Sequence, residues 1–146
     1  RRSACRTWDR GAGTQVMAAR PGCRFCLKNK LLLDEPIFET GHFYMLGSID
    51  PMVPLAGMVI PKRHSDDPFG LLPEEWADFG TALATAKAYF SHHRPDGYTL
   101  GWNVGAAGGQ HVFHTHLHII PRFAGEPNEG VGIRRVMRTP MWGLDQ

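Results

Sequence analysis

Cysteine is scarce in this chain: three residues in 146, Cys5, Cys23 and Cys26. So few cannot build the disulfide framework of a small secreted domain, and a reducing, cytoplasmic setting is expected. Long apolar runs are also missing. None approaches the roughly 20 residues that a membrane-spanning helix needs, so no membrane partner is expected. Charge of one sign is not in excess. Sixteen Lys and Arg stand against 14 Asp and Glu, a formal net charge of +2, too small to argue for nucleic acid. Neither an internal repeat nor a signal-peptide pattern is evident. What is left is 42% hydrophobic and 21% charged, the ordinary balance of a globular domain with a proper core.

Acid is nearly absent from residues 1–22, where Arg1, Arg2, Arg6, Arg10 and Arg20 meet only Asp9. The apolar residues there have no period, so a flexible Arg-rich arm is expected over 1–22, ahead of a single domain over 23–146. An organellar transit segment has the same composition. So does an extension upstream of a start near Met17.

The densest chemistry lies between Asn103 and Arg122. His114, His116 and His118 occupy alternate positions, separated and followed by Thr115, Leu117 and Ile119. That alternation and the β-favouring residues predict a strand, which turns all three imidazoles to one face. Just upstream, Gly105, Gly108 and Gly109 form a turn in which backbone N–H groups can approach an anion. A glycine turn running into a row of imidazoles suggests chemistry at phosphorus. A neutral imidazole is a competent nucleophile near pH 7. Charge building on phosphoryl oxygens needs donors, for which Gln110, His118 and the N–H groups of Gly109 to His111 are candidates. Asn103 either contacts phosphate or holds the loop.

Elsewhere, Ile37–Thr40 and His42–Leu46 read as a hairpin, and Met58–Ile60 as a buried strand ended by Pro61. A helix is predicted from Pro73 to about His92, with Trp76, Phe79, Leu83, Ala86 and Phe90 on its packing face. Tyr98–Val104 reads as a strand feeding the glycine turn. Cys23-Arg24-Phe25-Cys26 has a spacing compatible with redox, metal-binding or incidental roles, and a structural zinc would require two further ligands.

The run His114-Thr115-His116-Leu117-His118-Ile119-Ile120 resembles the histidine-triad (HIT) family. So do Asn103, Gly105, Gly109, Gln110 and Val112 upstream, Pro121-Arg122 downstream, and Val59-Ile60-Pro61-Lys62-Arg63-His64. The likeness spans roughly residues 23–122. It implies an α+β, HIT-like fold: an antiparallel sheet of about five strands, one long helix and a short N-terminal helix. It implies homodimers formed through the helix and a sheet edge. It also implies attack by the middle histidine, His116, on the α-phosphorus of a nucleotide. The catalytic set expected is then His114, His116, His118 and Gln110. The nucleotide is expected to meet Asn103, Gly109, Gln110 and His111, with Ile37, Phe38, Leu46 and Ile49 around the nucleoside.

Some relatives in that family carry a structural zinc, which here implies Cys23, Cys26, His64 and His114 as ligands. Two positions depart from the pattern. The acid that binds ribose in one branch falls on Ser48, with Asp50 two residues away, and a frequent histidine is replaced by Ala56. The expected activity is hydrolysis of dinucleoside polyphosphates or nucleoside phosphoramidates. A nucleotidyltransferase, a nucleotide-binding partner protein and an enzyme with zinc on the three triad histidines are its rivals.

Overall fold

The computed structural model describes residues 19–136. The expected arm over 1–22 lies outside these for residues 1–18. Arg20, at its end, is held: its carbonyl accepts from Cys23 N at 3.1 Å and from Asn29 Nδ2 at 2.8 Å.

Strands β1 (Phe38–Glu39), β2 (Phe43–Gly47), β3 (Gly57–Pro61), β4 (Gly97–Trp102) and β5 (Leu117–Arg122) form one antiparallel sheet in the order β1-β2-β3-β5-β4. Helix α1 (Pro73–Phe90) follows β3, and a short α2 (Ile133–Val136) follows β5. The short N-terminal helix is a single 3-10 turn, Leu27–Asn29. This is the α+β architecture expected, and among the described residues no helix is long and apolar enough to cross a membrane.

Both faces of the sheet are covered, so β2 is buried at four consecutive positions, Phe43 to Leu46. Phe43 and Met45 join Val59, Leu117 and Ile119 against Ala82, Ala86 and Phe90 of α1. The alternate residues Tyr44, Leu46 and Ile60 pack with Phe25, Leu27 and Leu32 of the N-terminal segment. The helix face differs from expectation at Trp76, which is 44% exposed and touches Phe79 and Trp102 through ring edges.

Helix α1 starts at a proline, where the missing N–H costs nothing. Glu75 accepts from Leu72 N at 2.7 Å in that first turn. The same buried carboxylate takes two hydrogen bonds from Arg63, both at 2.8 Å. Asp78, one turn on, accepts from Thr40 Oγ1 at 2.6 Å and His42 N at 2.7 Å. The helix is thereby tied to both the β1–β2 turn and the end of β3.

Candidate active site and metal centre

Strand β5 begins later than the residue pattern predicts. His114 sits in a bend, His116 immediately precedes the strand and only His118 lies within it. The cause is the partner strand. Pairing of β3 with β5 stops at Val59↔Leu117, because the chain after Pro61 turns away toward His64. Thr115 N donates instead to Ser65 O at 2.6 Å. The two-residue period still governs the rings: His116 and His118 stand 4.9 Å apart on the face away from α1.

His114 is fully buried and turns to a different cluster. Its Nδ1 lies 3.5 Å from Cys23 Sγ and 3.6 Å from Cys26 Sγ, and His64 Nδ1 lies 3.3 Å from Cys26 Sγ. The four ligand atoms all fall within 4.8 Å of one another. Tetrahedral ligands at bond lengths of about 2.0–2.3 Å stand about 3.3–3.8 Å apart, so these three separations fit around one ion.

The tautomers fit as well. His114 Nε2 is 2.7 Å from Pro61 O, and His64 Nε2 is 3.1 Å from Asp66 Oδ1. With the protons on Nε2, both Nδ1 lone pairs face the sulfurs, the usual arrangement of metal-bound imidazoles. Burial pushes His114 down to about 4 and the metal-free Cys26 thiol up to about 11. The imidazole is therefore ready to donate its lone pair, whereas the thiol must give up a proton to bind. Among the described residues His116 and His118 are not part of this group, an arrangement that does not suit one metal on all three triad histidines.

His116 is oriented by its neighbour's backbone. Its Nδ1 donates to His114 O at 2.8 Å, which leaves Nε2 with the lone pair. Burial holds both His116 and His118 below the usual histidine range, partly opposed for His116 by that carbonyl. Phe25, between the two cysteines, sets its ring edge-on to His116 at 5.3 Å. Tyr44 Oη fixes this turn by donating to Phe25 O at 2.5 Å.

A cavity of ≈ 230 Å³ opens beside these rings. Of the expected residues, Leu46, Ile49, Asn103, Gly109, His111, His116 and His118 line it. Ile37, Phe38, Ser48, Asp50, Gln110 and His114 do not. Phe38 packs on the α1 side of the sheet, the opposite face. Ile37 is 36% exposed and lies beside Gly47. Ser48 Oγ accepts from Asp50 N, and Asp50 Oδ1 from Met52 N, so both shape a turn.

The glycine turn is closed on itself. Gly105 and Gly109 have φ of +68° and +85°, conformations that side chains resist. Gly109 N donates to Ala106 O, and Gln110 N to Gly105 O. Gln110's buried amide is spent too, donating to Asp66 O at 2.6 Å and Val112 O at 3.1 Å while accepting from Gly105 N at 2.8 Å. Of the donors expected here, His111 N, the Asn103 amide and the His118 ring have no partner among the described residues.

Residues that the sequence reading missed also face the cavity: Arg24, Phe25, Leu32, Leu33, Asp34, Met58 and Val112. Arg24 and Phe25 were legible only as spacers between cysteines. A larger open groove of ≈ 340 Å³ lies at the far end of β4 and β5, around Arg122, away from the histidines.

The HIT domain family model matches residues 33–125. An uncharacterized HIT-like protein of Borreliella burgdorferi is 32% identical over 120 residues, covering 77% of this chain and 82% of its own. A bis(5'-adenosyl)-triphosphatase of Dictyostelium discoideum is 34% identical over 89 residues, 60% of each chain. The crystal structure of a zinc-bound histidine triad family protein from Mycobacterium smegmatis is similar with a TM-score of 0.63 and 29% identity, over 73% of this chain and 78% of that one.

Proposed function

Because the chain belongs to the HIT domain family, we propose that it hydrolyses nucleotides at the α-phosphorus through a covalent nucleotidyl-His116 intermediate. The substrates are dinucleoside polyphosphates or nucleoside phosphoramidates. The observation that carries the reading is the His116 tautomer: with Nδ1–H on the His114 carbonyl, the Nε2 lone pair is the ring's free nucleophile.

In the first step Nε2 forms a bond to the α-phosphorus and the bond from phosphorus to the leaving group breaks, its electron pair departing with that group; a polyphosphate leaves as its anion, and an amine takes a proton from solvent as it leaves. Nδ1 keeps its proton, so the phosphorylated ring is cationic, and the His114 carbonyl dipole stabilises it. In the second step water attacks phosphorus, the N–P bond breaks and its pair returns to Nε2. The nucleoside monophosphate leaves and water's proton passes to solvent. The Asn103 amide, His111 N–H and His118 are the donors available to phosphoryl oxygens as charge builds.

Zinc is the metal that suits two thiolates and two imidazoles, and the zinc-bound relative supports it. Four protein donors would close its coordination, so bound zinc would supply folding stability rather than an activated water.

The test is a rapid-quench intact mass followed by peptide mapping, on protein mixed with diadenosine tetraphosphate or an adenosine phosphoramidate. An adenylyl adduct on the peptide containing His116 is expected. Turnover that survives His116→Ala, with no adduct, would sink the mechanism.

A further inference from the structure

The cavity is small for a ligand site, since typical ones run about 300–1,000 Å³. It has room near ≈ 230 Å³, enough for little more than one nucleoside with its α-phosphate. Any larger leaving group must therefore extend over the rim. Leu32, Leu46, Met58 and Val112 make the interior wall apolar.

Among the described residues, one fixed cation lines this cavity, Arg24. It is exposed, and its guanidinium lies 5.7 Å from the centroid of the Phe25 ring, whose edge meets His116. Among the described residues Arg24 makes no ion pair or side-chain hydrogen bond. Asp34, the one carboxylate among the described residues on the same cavity, is not paired with it either. The turn that carries Arg24 is held by Tyr44 Oη on Phe25 O and by the contacts of Cys23 with His114 and Cys26 with His64, so the cation projects from a fixed base.

We propose that Arg24 binds the phosphates of the leaving group and so selects polyphosphate substrates over those with an uncharged leaving group. The inference rests on the hydrolase reading above and adds the feature that chooses its substrate. A guanidinium offers planar donors that match phosphate oxygens. A phosphoramidate's amine presents nothing for it to hold.

The experiment compares kcat/KM of wild type, Arg24→Gln and Lys28→Gln for diadenosine tetraphosphate and adenosine phosphoramidate at low and high salt. Lys28 is an exposed cation on the same segment but off the cavity, and serves as the control for lost charge. Arg24→Gln is expected to lower kcat/KM for the polyphosphate roughly fivefold and to flatten its salt dependence. The phosphoramidate should be unaffected, and Lys28→Gln should change neither substrate. Equal losses on both substrates, or no loss on either, overturn the proposal.

Binding separates this failure from failure of the hydrolase reading. In a His116→Asn background, Arg24→Gln should weaken diadenosine tetraphosphate in calorimetry and leave AMP unchanged, whether or not the wild type turns over. No selective weakening removes the Arg24 role alone, and no nucleotide binding at all removes both.

Discussion

At the residue scale, Gln110 and His116 show how one short segment divides its labour. His116 presents a free nitrogen to the cavity, while Gln110, six residues earlier, is buried and spends its whole amide on backbone. It bridges the glycine turn to Asp66, whose carboxylate meets the candidate metal ligand His64. Gln110→Ala would leave Gly105 N and two carbonyls without their partner. A loss of about 2–3 kcal/mol is expected in urea unfolding, since each buried group left unpaired costs about 1–3 kcal/mol. Undiminished stability would show that water replaces the amide. The residue types His, Gln and Asn at these positions were readable from the sequence. That Gln110 holds the loop from within depends on a carbonyl 44 residues away in the chain.

At the element scale, α1 is placed by polar ties as well as by its apolar face. Asp78 joins it to the β1–β2 turn through Thr40 and His42. The Thr40 hydroxyl and His42 N–H together hold its carboxyl below the usual range, against the smaller opposing effect of burial. A carboxyl depressed on folding stabilises the fold above its unfolded pKa, about 3.9, and loses that contribution as pH falls through the folded value. Asp78→Ala should therefore cost about 1 kcal/mol near neutrality, solvent screening included. The gap to wild type should close below about pH 4. Thermal melts of both proteins from pH 7 to pH 3 check this, and a gap that widens in acid contradicts it. The helix and most strands were legible from period three-to-four and period two. The start of β5 was not, because His114 and Thr115 have strand-like residues but no strand beside them.

At the scale of the molecule, the four candidate metal ligands join three distant segments: the N-terminal turn, the chain after β3 and the approach to β5. Closing such a site ties them together, and its loss should be felt globally. Protein purified without chelator is expected to hold about one zinc per chain and to lose about 10 °C or more of melting temperature when a strong chelator removes it. An unchanged melt after metal removal would refute the stapling role. Phe25 and Arg24 ride on the same turn, so nucleotide affinity should fall with it.

The sequence by itself determined the spacing of the histidines, the helix, the order of the strands along the chain and the types of donor available to a metal or a phosphate. These are local properties, set by side-chain period and backbone preference within a few residues. The family resemblance already implied that His114 joins the cysteines; only the tertiary structure decided that Phe38 faces α1 and that Arg24 borders the cavity. Those outcomes depend on which distant segment covers each face of the sheet, and the burial of both faces at once erases the alternation that would have announced it.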